Sequence, residues 1–271
     1  MDSARGWCLM AHDDQNARGM GRDLAAFRDL AREVMSQLSK RPGPAQPGVP
    51  RRDVLDFLAA RMLARDSFDC AAVLDDLRAF NLNDRTIIDC YIPAAAERIG
   101  EAWVQSDLGF AEATIASVRL QSLLSEIVYS SPDCAAVRDT PIDALVVTLS
   151  GDQHTLGGFV AAAQLRRRGA SVEISCGETP SGIEDRVIGG DYDVIMFSCS
   201  RTRDLETIAQ VIKNIRHRAP SAPVFALGGL VLGICRNIDR LTKADVVTSD
   251  IDQVVKSCEQ RPRHVQRRAT R

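Results

Sequence analysis

The sequence predicts an α/β protein, an N-terminal four-helix bundle capping a flavodoxin-like (Rossmann-type) five-stranded parallel sheet. Three observations predict it. From Asp53 to about Ser131 apolar residues recur only at helical spacing; at Ser130-Ser131-Pro132-Asp133 the period changes; beyond it short apolar runs alternate with helical ones as far as Cys258. Alternating strands and helices imply right-handed crossovers and a sheet covered on both faces. A site on such a sheet lies beyond the carboxyl ends of its strands, where the first and third diverge.

Residues 1–50 form an arm in which Leu24, Phe27, Leu30, Ala31, Val34, Met35 and Leu38 predict one amphipathic helix. Arg41 to Pro50 holds four prolines in ten residues and reads as a semi-extended linker. The bundle is assigned to 51–132. Its helices carry Val54 to Leu63, Phe68 to Phe80, Ile87 to Trp103 and Ala111 to Val128, with Asp66-Ser67 and Asn83-Asp84 as caps and Asp107-Leu108-Gly109 as the last break. Pro93 is expected to kink the third helix or mark its start. The sheet domain is assigned to 140–259. Its strands are expected at Ala144–Leu149, Ser171–Ser175, Asp193–Phe197, Pro223–Leu227 and Ala244–Thr248, and its helices at Gly158–Arg168, Ser181–Ile188, Leu205–Arg218, Leu230–Cys235 and Ile251–Cys258. Residues 260–271 form a basic, solvated tail.

A net charge of -2 and a pI near 6.1 encode no global preference for polyanions. The start lacks the basic, apolar, small pattern of a secretory signal, and no apolar run reaches the ~18 residues of a membrane span. A cytoplasmic protein is expected. Its eight cysteines include no CxxC pair, so they read as reduced, mostly buried small hydrophobes. The arm has neither the core of a helix-turn-helix unit nor zinc spacing, and the five arginines between Arg261 and Arg271 offer only weak, salt-sensitive attraction to DNA.

The informative stretch is Gly151-Asp152-Gln153-His154-Thr155-Leu156-Gly157-Gly158, directly after the first strand pattern. It places one of four histidines on a strand-end loop with an acid two residues before it. Such an acid can accept the second ring N–H of a metal-bound imidazole, fixing its tautomer. Ser198-Cys199-Ser200 follows the third strand pattern and Gly228-Gly229 the fourth, so all three segments project to one rim. A serine there can hydrogen-bond a heterocycle, and glycines let a bulky group approach the backbone.

Asp152-x-His154-x-x-Gly157, Ser198-x-Ser200 and Gly228-Gly229 together resemble the DxHxxG, SxL and GG signature of cobalamin-binding domains, with Ser200 where the pattern has leucine. The bundle, with Trp103, is similar to the helical cap that accompanies these domains. The resemblance implies base-off, His-on cobalamin: His154 as the lower cobalt ligand, Asp152 tuning it, the nucleotide tail passing Gly157, Ser198, Ser200 and the glycine pair, and Trp103 over the upper corrin face. Light-sensing adenosylcobalamin repressors carry Glu-His ten and eleven residues after the tryptophan, where this chain has Ala113 and Thr114. Methyl-carrying corrinoid proteins have Asp-Ile-Gly-Lys where this chain has Thr155-Leu156-Gly157-Gly158.

The chain resembles the AerR/PpaA group of photosynthesis antirepressors, which implies light- or redox-dependent control of a PpsR/CrtJ-type repressor, without catalysis. After photolysis of an alkylcobalamin the upper position would take hydroxide, water or an imidazole, for which His12 on the arm is the candidate. Two other readings stay open. One is a corrinoid methyl carrier of a methyltransferase system. The other is a haem sensor in which His154 and Cys199 ligate iron.

Overall fold

The computed structural model describes residues 49–130, 142–219 and 221–261. The expected arm helix, His12, the linker before Val49 and the tail beyond Arg261 lie outside the described residues. Four helical stretches come first: α1 Arg52–Leu63, α2 Cys70–Ala79, α3 from Asp84–Thr86 through Ile87–Tyr91 to Ile92–Val104, and α4 Phe110–Ser130. Val54, Leu58, Met62, Val73, Leu77, Ile88, Ile92, Leu120 and Leu124 meet in one buried core.

Local chemistry sets the boundaries. The α2 cap is Asp69 rather than the expected Asp66-Ser67, because the Asp69 carboxylate accepts the backbone N–H groups of Ala71 and Ala72. Asn83 caps α3 as expected, accepting from the Thr86 N–H at 2.8 Å. Pro93 marks the effective start of the α-helical part of α3, standing second in Ile92–Val104, and the turn Ile87–Tyr91 before it is π-helical, with the Ile92 N–H reaching back to the Ile87 carbonyl. Widening that turn accommodates a residue that lacks its own N–H and crowds the preceding turn. Arg119 of α4 donates to the carbonyls of Met62 at 2.8 Å and Ala64 at 2.5 Å, satisfying acceptors that the end of α1 leaves open. Replacing Asp69 with Ala is expected to cost ~1 kcal/mol, read as a lower urea midpoint with unchanged slope.

The second half alternates strand and helix: β1 Asp143–Leu149, α5 Leu156–Arg167, β2 Ser171–Glu178, α6 Pro180–Gly189, β3 Val194–Ser198, α7 Leu205–Arg218, β4 Val224–Gly228, α8 Val231–Ile234, α9 Ile238–Thr242, β5 Val246–Val247 and α10 Ile251–Glu259. All pairings are parallel and the order is β2-β1-β3-β4-β5, the expected doubly wound sheet. Three elements differ from expectation, the first being β2, which runs on to Glu178. β5 is shorter because Asp245, placed before it, spends its carboxylate on the Phe225 N–H at 2.8 Å. The helix expected at Leu230–Cys235 is a single turn, followed by the unexpected α9.

Helix α5 joins the two layers. Ala161, Ala162 and Leu165 pack on Ala144, Val146 and Met196 of the sheet, while Val160 and Ala163 enter the bundle core. Its small residues let both layers approach. Gly158 shows how closely, since a β-carbon there would stand 3.5 Å from Val146, Thr148 and Ser198 side chains. Polar ties join the layers at both ends of α5: Gln121 of α4 donates to the Thr155 hydroxyl at 2.8 Å, and Asp89 of α3 accepts from Gln164 at 3.0 Å and Arg167 at 2.5 Å. The opposite sheet face carries Leu145, Val147, Phe197, Phe225 and Leu227 against α6, α7, α8 and α9.

Among the described residues no helix is long and apolar enough to cross a membrane. The six described cysteines are free thiols, but only Cys199 and Cys258 are buried, which corrects the expectation of mostly buried thiols; Cys176 is exposed on the outer strand β2.

Candidate functional site

The switch point lies between β1 and β3, and the loops leaving their carboxyl ends meet there. The β1 loop turns through Gly151, whose φ of +80° suits glycine, and brings Asp152 under the rim. The Asp152 side chain is 1% exposed, that of His154 31%. Asp152 Oδ1 accepts the His154 backbone N–H at 3.0 Å and lies 3.2 Å from His154 Nδ1. From the β3 loop, the Ser200 hydroxyl donates to Oδ1 at 2.7 Å and the Ser200 N–H to Oδ2 at 2.9 Å. Sequence reasoning assigned Ser200 to a ligand tail. In the structure its hydroxyl and N–H are turned to the Asp152 carboxylate.

Burial alone would raise the Asp152 pKa, but the hydrogen bonds from the His154 ring and N–H and from the Ser200 hydroxyl and N–H outweigh it, holding the carboxyl well below its ordinary range. An ionised carboxylate only accepts, so the pairing with Asp152 selects the Nδ1–H form of a neutral His154 ring. That is the tautomer a metal-binding histidine needs. The same shift makes a pH prediction. A depressed folded-state pKa contributes stability that is complete above the unfolded value near 3.8 and is lost as pH falls toward the folded value. Asp152→Asn is therefore expected to flatten the decline of the urea midpoint below pH ~4 relative to wild type; parallel curves would count against the assignment.

The glycines divide into two kinds. A β-carbon on Gly157 would lie 3.7 Å from the Ser198 hydroxyl, an ordinary contact, so the chain itself does not require glycine there. Gly228 and Gly229 are constrained by backbone: a β-carbon would stand 3.0 Å from the Thr248 carbonyl oxygen in the first case and 2.5 Å from the Cys199 carbonyl oxygen in the second, where φ is +102°. The pair read as a ligand slot thus also lets the β3 loop and the β5 end close on β4. Ser198 is buried at the end of β3, and Trp103 is buried in the last turn of α3.

Cys199 is buried and satisfied within the chain. Burial pushes its thiol up to about 12, and Sγ–H points to the Arg201 carbonyl at 3.3 Å. Among the described residues no group of three or more His, Cys, Asp or Glu side chains could hold a bare ion. One imidazole, backed by a carboxylate on an open rim, instead fits a metal whose remaining ligands come with a macrocycle.

The B12 binding domain model matches residues 142–248, the stretch that holds the sheet and this rim. An uncharacterized 20.5 kDa protein of the bchF-crtJ intergenic region in Rhodobacter capsulatus is 30% identical over 187 residues, covering 68% of this chain and 95% of that protein. The chain belongs to the family of that Rhodobacter protein. Among solved structures, the monomethylamine corrinoid protein of Methanosarcina barkeri is similar in fold, with a TM-score of 0.61 and 11% identity over 76% of this chain and 94% of the other. A cobalamin-binding protein from Desulfitobacterium hafniense DCB-2 matches at 17% identity and a TM-score of 0.40, over 76% of this chain and 97% of that one.

Proposed function

We propose that this chain is a light-responsive, cobalamin-binding transcriptional regulator, an antirepressor that acts by binding a PpsR/CrtJ-type repressor of photosynthesis genes and catalyses no reaction itself. The observation that carries the cofactor reading is the His154 ring, oriented by a buried, ionised Asp152 at the switch point of a B12-binding domain. His154 Nε2 would be the lower ligand, Asp152 and Ser200 hold its tautomer and direction, and Gly157 with Ser198 line the rim beside it. Bound cobalamin would supply a photolabile cobalt–carbon bond and an exchangeable upper position.

The regulatory reading rests on the cap and on the relative. At the start of α4, the Thr114 hydroxyl donates to the Phe110 carbonyl at 2.8 Å, and Ala113 packs against the bundle core, so neither supplies the carboxylate and imidazole found in adenosyl-holding caps. The Rhodobacter relative takes its name from a position beside crtJ, and CrtJ gives its name to one of these repressors. His12 of the arm is the proposed upper ligand.

The fold likeness to a corrinoid protein favours a second reading, a methyl carrier in a methyltransferase system. The haem reading would need as its second ligand Cys199, whose buried Sγ–H points to the Arg201 carbonyl. The test is the absorbance of the protein reconstituted with methylcobalamin, before and after illumination, with repressor pull-down in both states. Corrin bands that shift with light, together with light-dependent repressor binding, are expected. A Soret band in the purified protein would refute the cofactor assignment, and light-independent methyl turnover with a methyltransferase would refute the regulatory one.

A further inference from the structure

Arg201, next to Ser200 in the β3 loop, has no part in the signature motifs. Its side chain is 11% exposed and that of its partner Asp204 is 14% exposed. The guanidinium donates through NH1 to the Gly151 carbonyl at 2.5 Å, through NH2 to the Ser150 carbonyl at 3.3 Å, and through Nε to Asp204 Oδ2 at 2.7 Å. Gly151 and Ser150 immediately precede Asp152, so Arg201 grips the β1 loop just upstream of the Asp152 and His154 pair. A β-carbon on Gly151 would approach the guanidinium at 3.4 Å, which shows how closely the fork is seated. Asp204 ends the short 3-10 turn Thr202–Asp204 and leads into α7. The rim loop is therefore tied to α7 through one planar group, whose fork geometry lets it hold two successive carbonyls and a carboxylate together.

We propose that Arg201 is a positioning residue for His154: by fixing the Ser150 and Gly151 carbonyls it sets the height and direction of the imidazole, and by its bond to Asp204 it couples the ligand loop to α7. The proposal rests on the reading of His154 as the cobalt ligand. Lysine at this position keeps the charge but presents a single point donor, so it can hold one carbonyl or the carboxylate and not the set.

The test uses the full chain, labelled with nitrogen-15 histidine, reconstituted with hydroxocobalamin and reduced to the cobalt(II) form for electron paramagnetic resonance. Axial ligation by labelled imidazole gives doublet nitrogen splitting, whereas the cofactor's own base gives triplets. Wild type is expected to show doublets and His154→Ala none. Arg201→Ala is expected to show at least a five-fold smaller doublet fraction, and Arg201→Lys an intermediate one, with both variants keeping the helical circular dichroism of wild type. Doublets of wild-type intensity in Arg201→Ala overturn the positioning role and leave the ligand assignment standing. Absence of doublets in wild type overturns the ligand assignment itself, and this proposal with it. Should Arg201→Ala fail to fold, Arg201→Lys reads the same quantity, and a wild-type doublet fraction there overturns the proposal.

Discussion

His154→Ala is expected to weaken hydroxocobalamin binding by at least roughly 100-fold, since outer partners of metal ligands alone typically contribute ~10–100-fold. Spectral titration or equilibrium dialysis measures it. The fold should tolerate the change, because the ring is partly exposed and its hydrogen bond is to a carboxylate that keeps the Ser200 hydroxyl, the Ser200 N–H and the His154 backbone N–H. Asp152→Asn falls between wild type and His154→Ala in affinity, because an amide oxygen is a weaker acceptor and lets the ring tautomer drift. Equal affinity in all three proteins would show that the imidazole is not a ligand. A loss in Asp152→Asn as large as in His154→Ala, with the circular dichroism of the folded chain intact, would show that orientation rather than the bond itself dominates.

What could be read from the chain, and what could not, follows the range of the interactions. Asp152 and His154 were legible because their relation is local: an acid two residues before a histidine at the end of an apolar run needs only the loop between them. The parallel, doubly wound sheet followed from alternation and crossover handedness, which are also properties of adjacent segments. Ser200 was located at the rim but its bonds to Asp152 were not foreseen, since they span 48 residues and depend on how far the β3 loop turns after Ser198. Arg201 left no trace, because an arginine that donates to main-chain carbonyls has partners with no sequence identity. The α2 cap was misplaced for a simpler reason. Asp66, Ser67 and Asp69 can all cap, and the choice fell to Asp69 once the chain after α1 was drawn toward Arg119, which donates to the Ala64 and Asp66 carbonyls.

Gly229→Ala is expected to destabilise the protein by ~3 kcal/mol or more, a large share of the ~5–15 kcal/mol that holds a typical domain. Two costs add. At φ +102° an L-residue is strained wherever it sits, and the new β-carbon would stand 2.5 Å from the Cys199 carbonyl oxygen and 2.8 Å from its nitrogen. Neither atom can yield alone, because the Cys199 N–H donates to the Gly228 carbonyl at 3.0 Å and the Cys199 carbonyl accepts from the Val231 N–H at 3.1 Å. Relief therefore requires the β3 loop to move, and that loop carries Ser200 and Arg201, so cobalamin affinity should fall along with the urea midpoint. Gly157→Ala separates the two effects. Its β-carbon makes only an ordinary 3.7 Å contact with Ser198, and alanine improves the first turn of α5, so stability should hold or rise. If Gly157→Ala nevertheless loses affinity for hydroxocobalamin, glycine is needed there by the ligand. If affinity and stability both match wild type, Gly157 is not part of the binding surface.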